Sequence, residues 1–204
     1  MSVKVFDWIS NHANHAPESV ALVDLFSQRE LTYAQLHERV ARVGGFLRNA
    51  LGVERGDRVC VLCNNSTDII EIQFACFRLG AIFTPLNWRL APPELEYIVG
   101  DAGPKVLICD EDNLAVGRAL HASLALEHLV DLKASGGESA YEAGISAAAP
   151  IESLLKSPPS APSMPSSRKA ALATPVKAIL TEPPDAAAAQ PTTAKREAGC
   201  GNFT

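Results

Sequence analysis

Residues 58–84 read RVCVLCNNSTDIIEIQFACFRLGAIFT, and this stretch decides the fold. Its opening run, 58–63, is apolar after Arg58 and shows no alternation with polar residues. A short run of that kind reads as a strand covered on both faces. Asn64-Asn65-Ser66 makes a polar turn, residues 67–79 form a helix closed by Gly80, and residues 81–84 return to strand character. Strand, helix and strand with no hairpin turn between them make a crossover unit, which joins parallel neighbours. The prediction is an α/β chain: a mostly parallel sheet with helices on both faces.

Working outward, the alternation continues in both directions. Toward the N-terminus, Leu36, Val40, Val43, Leu47 and Leu51 recur at helical steps and lay one apolar stripe along a helix. Thr32 with Gln35 matches a capping box, and Gly52 supplies the left-handed conformation that ends a helix. Gly44 and Gly45 inside that helix each cost about 1 kcal/mol relative to alanine, which predicts a close approach of the helix to the sheet. Before it lie a helix over 3–13 closed by Pro17, a strand over 20–23 and a lead-in at Glu30-Leu31-Thr32. Toward the C-terminus come the turn Pro85-Leu86-Asn87 and a helix over 92–99, opened by Pro92-Pro93 and ended by 100–104. A strand over 105–109, a helix over 112–126 and a strand over 128–131 follow.

The pattern stops at Lys156. Of the 14 prolines in the 204 residues, 8 fall between Pro158 and Pro191, among serines and alanines. Such a stretch cannot bury enough surface to offset its chain entropy. Residues 1–155 are therefore expected to fold, and 156–204 to be a disordered Pro/Ala/Ser-rich tail. A net charge of −5 gives no electrostatic case for nucleic acid or for an anionic membrane. The longest apolar stretch, 69–86, is interrupted by Glu71 and Arg78, charges that a lipid-facing helix would carry at considerable cost. Residues 1–8 lack the pattern of a secretory or transit signal. A cytoplasmic protein without a transmembrane segment is expected.

Candidate chemical sites are few. Cys60, Cys63, Cys76, Cys109 and Cys200 sit mostly in apolar runs and read as small buried hydrophobes in a reducing compartment. Cys60 and Cys63 form a C-x-x-C, the spacing of redox and zinc sites, but along a strand that spacing sends the side chains to opposite faces. His12 and His15 lie near a helix end with no third ligand spaced to complete a metal site. Ser135-Gly136-Gly137-Glu138 lacks the lysine and following helix N-terminus of a phosphate loop and reads as a turn. Glu94 and Glu96 point apart on a helix and read as a solvated face. Asn64-Asn65-Ser66 and Asn202-Phe203-Thr204 are glycosylation sequons in form only. Trp88 and Arg89, after the Pro85-Leu86-Asn87 turn, are assigned structure rather than substrate contact. No catalytic, cofactor-binding or metal-binding residue is nominated.

Leu31-Thr32-Tyr33-Ala34-Gln35-Leu36, Gly56-Asp57-Arg58-Val59, Asn64-Asn65-Ser66, Arg78-Leu79-Gly80-Ala81-Ile82-Phe83-Thr84-Pro85-Leu86-Asn87 and Glu94-Leu95-Glu96-Tyr97-Ile98 carry, in their order, a resemblance. They resemble the opening third of an AMP-forming acyl-CoA synthetase, a family of AMP-dependent synthetases and ligases in the adenylate-forming superfamily. The resemblance spans 6–112 and, more loosely, 113–155. It implies the N-terminal α/β subdomain of the adenylate-forming fold and makes residues 1–155 a partial domain. Members activate a carboxylic acid, here expected to be a fatty acid, with ATP and Mg2+ to an acyl-adenylate, then pass the acyl group to CoA. Their phosphate-gripping glycine loop, ribose-binding acid, arginine and C-terminal lysine match no position here. Where the loop should begin, the chain reads Ser157-Pro158-Pro159-Ser160. The resemblance thus implies a scaffold without a nucleotide site, inactive alone and holding no cofactor. The alternative it leaves is a non-catalytic α/β module that docks on a full-length relative through an exposed apolar surface. An out-of-frame origin of the tail is a further expectation. Read one nucleotide earlier, codons for the stretch from Arg168 to Pro175 permit Thr-x-Gly-Ser-Thr-Gly-x-Pro, close to the missing loop.

Overall fold

The computed structural model describes residues 6–153 except Phe26 and Ser135. In chain order it holds helix α1 (Trp8–His15), strands β1 (Val20–Val23) and β2 (Glu30–Thr32), and helix α2 (Tyr33–Gly45) with a π-helical turn behind it (Phe46–Ala50). Then come β3 (Arg58–Leu62), α3 (Thr67–Leu79), β4 (Ile82–Pro85), α4 (Pro92–Ala102), β5 (Val106–Asp110), α5 (Leu114–Ser123), β6 (His128–Leu132) and α6 (Ala140–Ala147). Among the described residues no helix is long and apolar enough to cross a membrane.

Strands β4, β3, β5 and β6 pair in that order, all parallel, as the crossover reading requires. The chain winds outward from β3 to β4, then returns to the far side of β3 for β5, so the winding reverses between β3 and β5. Side chains from the strands feed two cores. Val59, Val61, Val106, Ile108, Val130 and Leu132 meet residues of α2, α3 and α6, whereas Cys60, Leu62, Leu107 and Cys109 meet residues of α4 and α5. Apolar layers on both faces are why β3 and β5 carry no polar alternation.

Local signals set most boundaries. Thr32 Oγ1 accepts from Gln35 N, and Gln35 Oε1 accepts from Thr32 N at 2.8 Å, which closes the capping box of α2. Gly80 ends α3 and Gly52 follows the π-helical turn, both at positive φ (70° and 62°). Other boundaries differ from expectation. Helix α1 starts at Trp8, not residue 3, because the Asp7 carboxylate caps it by accepting from Ser10 N at 2.9 Å; residues 3–5 lie outside the described ones. Glu30-Leu31-Thr32 is more than a lead-in, since it pairs antiparallel with β1 in a separate two-stranded ribbon. Helix α4 runs through Gly100 and stops at Gly103, which takes the left-handed conformation instead. Helix α5 is shorter than residues 112–126.

The glycine pair of α2 is the most informative correction. The sheet does not approach it. The chain behind α6 does: a Cβ on Gly45 would strike the Ala149 carbonyl oxygen, and one on Gly44 would lie 2.5 Å from Ile151 Cδ1. Ile151 N donates to Ala41 O at 3.0 Å along the same crossing. Residues 148–151 therefore form a strap across α2, and α6 before it begins at an Ser139 cap whose hydroxyl accepts from Glu142 N at 3.3 Å. The expected tail, 156–204, with its proposed frame change, lies outside the described residues.

The glycines separate packing from propensity. Gly45→Ala is expected to destabilise by about 1–3 kcal/mol through overpacking against a backbone carbonyl. Gly100→Ala meets only Leu124 Cδ2 at 3.5 Å, and is expected to stabilise by up to about 1 kcal/mol through helix propensity. Urea unfolding of both variants checks the pair, and equal shifts would contradict the strap.

Candidate functional site

In an open parallel sheet, ligands bind beyond the carboxyl ends of the strands, where the winding reverses. Here that point lies between the ends of β3 and β5, and it is rimmed by Asn64, Asp110, Asp112 and Asn113. Asp110 Oδ2 accepts from Asn64 N at 2.6 Å, and its Oδ1 accepts from Asn113 N at 3.1 Å and Asn113 Nδ2 at 2.7 Å. Asp112 Oδ2 accepts from Asn64 Nδ2 at 3.0 Å. Asn64 Oδ1 and Ser66 Oγ are buried without a protein hydrogen-bond partner among the described residues. The rim thus presents carboxylates already tied into turns, a set suited to holding β3 and β5 in register.

The rim offers acceptors where phosphates need donors. The Gly136-Gly137 turn leads into α6, whose cap is internal and whose first turn carries Glu142. Among the described residues no group of three His, Cys, Asp or Glu side chains could hold a metal ion. A groove of about 480 Å³ beside β2, α2 and α6 is lined by Arg29, Arg39 and Arg42, but all three guanidiniums are engaged.

Those engagements form the main polar feature of the molecule. Arg29 donates to Thr67, Asp68 and Glu71 at 2.9, 2.9 and 3.2 Å, and Arg39 donates to Glu71 at 2.6 Å and to both oxygens of Glu142 at 2.5 and 3.3 Å. Tyr141, fully buried, donates its hydroxyl to Glu71 Oε2 at 3.3 Å. Burial pushes the Glu71 carboxyl up, against the pull of Arg39 and Arg29. It also pushes the Tyr141 hydroxyl well up, with Glu71 adding to the shift. A second pair lies across α3. Arg78 Nε donates to Asp7 Oδ2 at 2.8 Å while its other nitrogens meet His37 O at 3.2 Å and His37 Nδ1 at 2.9 Å. Burial alone would raise Asp7, but the Ser10 amide and Arg78 outweigh it and hold the carboxyl below its ordinary value.

The structure disperses the sequence candidates. Cys60 and Cys63 belong to opposite cores, as strand spacing requires. Burial pushes the thiol of Cys60 up to about 11 and those of Cys76 and Cys109 to about 12, and Cys63 rises further, so none is poised as a nucleophile. His12 stacks on Tyr33 at 4.8 Å and His15 Nδ1 lies 2.8 Å from Asn11 O, so the two do not converge. Glu94 does more than face solvent: its Oε2 accepts from Ala91 N at 2.9 Å and caps α4. Arg89 lies over the Trp88 ring at 4.3 Å, and its amide donates to Asn87 Oδ1, a turn closed locally. Ser135 and the Asn202 sequon lie outside the described residues. The buried charges escaped the sequence reading, although Glu71 and Arg78 inside an apolar run were the available signal.

The sequence profile described as AMP-binding enzyme matches residues 9–191, past the boundary drawn at 155. The chain is 39% identical over 142 residues to the indoleacetate–CoA ligase of Aromatoleum aromaticum, covering 69% of this chain and 27% of that protein. It is 34% identical over 121 residues to the long-chain-fatty-acid–CoA ligase FadD13 of Mycobacterium tuberculosis, covering 59% and 24%. The crystal structure of the N-terminal domain of FACL13 from Mycobacterium tuberculosis superposes with a TM-score of 0.66 at 28% identity, over 75% of this chain and 38% of that one. The chain belongs to the AMP-binding enzyme family, with the fold of an adenylate-forming N-terminal domain. It spans about a quarter of the length of the curated relatives it matches.

The Asp7–Arg78 pair gives a test of the buried electrostatics. A carboxyl whose folded pKa is depressed contributes stability that is present above its unfolded value, about 4, and lost as pH falls through the lower folded value. Asp7→Asn is expected to cost about 3 kcal/mol at pH 7 by leaving Arg78 buried and unpaired, and to flatten the acid limb of Tm between pH 5 and about 3. Thermal melts of both proteins across that range check it.

Proposed function

We propose that this chain is the N-terminal scaffold of an acid–CoA ligase, an enzyme that converts a carboxylic acid with ATP and Mg2+ to an acyl-adenylate and then to a CoA thioester. The family match over residues 9–191 carries the reading. A fatty acid is the finer reading, supported by the likeness to FadD13, while the likeness to the indoleacetate enzyme supports an aryl acid. In this proposal the scaffold positions the acyl and nucleotide pockets and does not itself grip the nucleotide, so residues 1–155 hold no cofactor and do not catalyse alone. A cytoplasmic location is part of it, supported by four buried free thiols, which persist in a reducing compartment. Isothermal titration of the purified chain with ATP and Mg2+ is expected to show no saturable heat, and saturable binding would overturn the division of labour.

A second reading has its own observation. Among the described residues β4 pairs only with β3, and at its free edge Ile82 is 49% exposed, with Phe77 of the preceding helix 39% exposed. An uncovered edge on a parallel sheet with large apolar side chains beside it is an interface or an aggregation liability. If the chain is a non-catalytic module docking on a full-length ligase, light scattering should show self-association that Ile82→Lys reduces. A monodisperse monomer at high concentration counts against this reading.

A further inference from the structure

Helix α1 is attached to the rest of the scaffold by few contacts. Ile9 is its one buried residue, and His12 stacks on Tyr33 of α2 at 4.8 Å. Its polar attachment lies at its N-terminal end, on Arg78 of α3. Arg78 Nε donates to Asp7 Oδ2 at 2.8 Å and Nη1 to His37 O at 3.2 Å, while Nη2 lies 2.9 Å from His37 Nδ1. Asp7 also accepts from Ser10 N at 2.9 Å and from the Ser153 side chain, so the chain behind the strap is anchored at the same point. The side chains of Arg78 and Asp7 are almost wholly shielded from water.

This geometry decides where the proton on His37 sits. A guanidinium has donors and no acceptor, so Nδ1 must offer its lone pair to Arg78. The imidazole is then neutral, with its proton on Nε2. A second proton on Nδ1 would remove that lone pair and set an imidazolium against a guanidinium. The one carboxylate at the junction, Asp7, is already bonded to Arg78 and Ser10, so the added charge would be poorly compensated. We propose that Asp7, His37 and Arg78 form an acid-sensitive joint, in which protonation of His37 at Nδ1 breaks its bond to Arg78 and loosens α1 and Ser153 from α2 and α3. The charged groups set against His37 are Arg78 from α3 and Asp7 from the head of α1, whereas Glu38 beside it on α2 is paired with Arg42. Burial, and after it Arg78, hold the imidazole below its ordinary value against the pull of Asp7, in agreement with the geometry. The sign follows from linkage. The unfolded chain binds this proton more readily than the folded one, so stability is fully present above the unfolded value, about 6.5, and is lost as pH falls below it.

Nitrogen-15 correlation spectra of the histidine rings in the full 204-residue chain, recorded from pH 8 to 5, read the joint directly. His37 is expected to show a bare Nδ1 and a protonated Nε2 at pH 7.5, and to titrate with a midpoint below about 6.5. The opposite tautomer, or a midpoint at or above that value, overturns the proposal. Hydrogen exchange over the same range, corrected for intrinsic rates, reads its consequence. Protection of residues 8–15 is expected to fall with pH below about 6.5, by up to about tenfold per pH unit for one linked proton, while β5 stays unchanged. A glutamine carbonyl can accept from Arg78 without titrating, so His37→Gln should keep α1 protected at pH 5.5 and remove the slope. Equal slopes in wild type and variant, or no slope in wild type, overturn the joint. If the variant does not fold, the tautomer and midpoint of His37 in the wild type decide.

Discussion

Helix α3 is packed between the sheet and α2, yet it carries Asp68, Glu71 and Arg78 with at most 1% of each exposed. Bare charges at that depth would cost several kcal/mol each, so each must draw a partner from another part of the chain. Arg78 draws Asp7 from the cap of α1 and His37 from α2. Asp68 and Glu71 draw Arg29 from the loop before β2 and Arg39 from α2, and Arg39 in turn holds Glu142 on α6. One buried helix thereby ties together α1, the β1–β2 ribbon, α2 and α6. The apolar contact of these elements with the parallel sheet is not directional, although α6 adds a bond from Ala140 N to Asp131 Oδ2 of β6 at 3.3 Å.

This explains what the sequence could reveal. The strands around Val59 and Val106, the capping box at Thr32 and the stop at Gly80 are local signals, complete within a few residues, and all are where the reading put them. The pairs are not local. Asp7 and Arg78 are 71 residues apart, and Arg39 and Glu142 are 103 apart, so no window of sequence contains both partners. The glycine pair at 44 and 45 announced a close approach but could not say by what. Helix α6 was missed although Ser139 and Glu142 stand at capping-box spacing, because its eight residues are too few to show a convincing period.

The stretch that carried the family resemblance turns out to be made of structural necessities. In Arg78-Leu79-Gly80-Ala81-Ile82-Phe83-Thr84-Pro85-Leu86-Asn87, Arg78 is a buried ion-pair member, Gly80 is the left-handed cap, and Leu79, Ala81 and Leu86 are core. Asn87 closes the following turn by accepting from Arg89 N. A pattern with so many independent steric and electrostatic demands is hard to reproduce by chance, which is why it identifies a family. On these contacts the stretch identifies a scaffold, its assigned side chains serving as ion pair, cap, core and turn. The reversal point between β3 and β5 shows the same division: the position where an α/β sheet binds ligands is occupied here by carboxylates that close turns.

The choice of ions over apolar side chains at the α2–α3–α6 seam is itself an argument about specificity. A buried ion network is seldom more stable than well-packed hydrophobes of the same size, so its presence is poorly explained by stability. Apolar faces of α2 and α6 could meet in several registers with similar energies. The two-point pairing of Arg39 with Glu142 permits one, because a guanidinium and a carboxylate must align in plane to form both bonds. In that register the strap reaches Ala41 and Gly45. Ion pairs here select among packings that hydrophobic contact leaves nearly equivalent, and the glycines across α2 make the selected packing sterically possible.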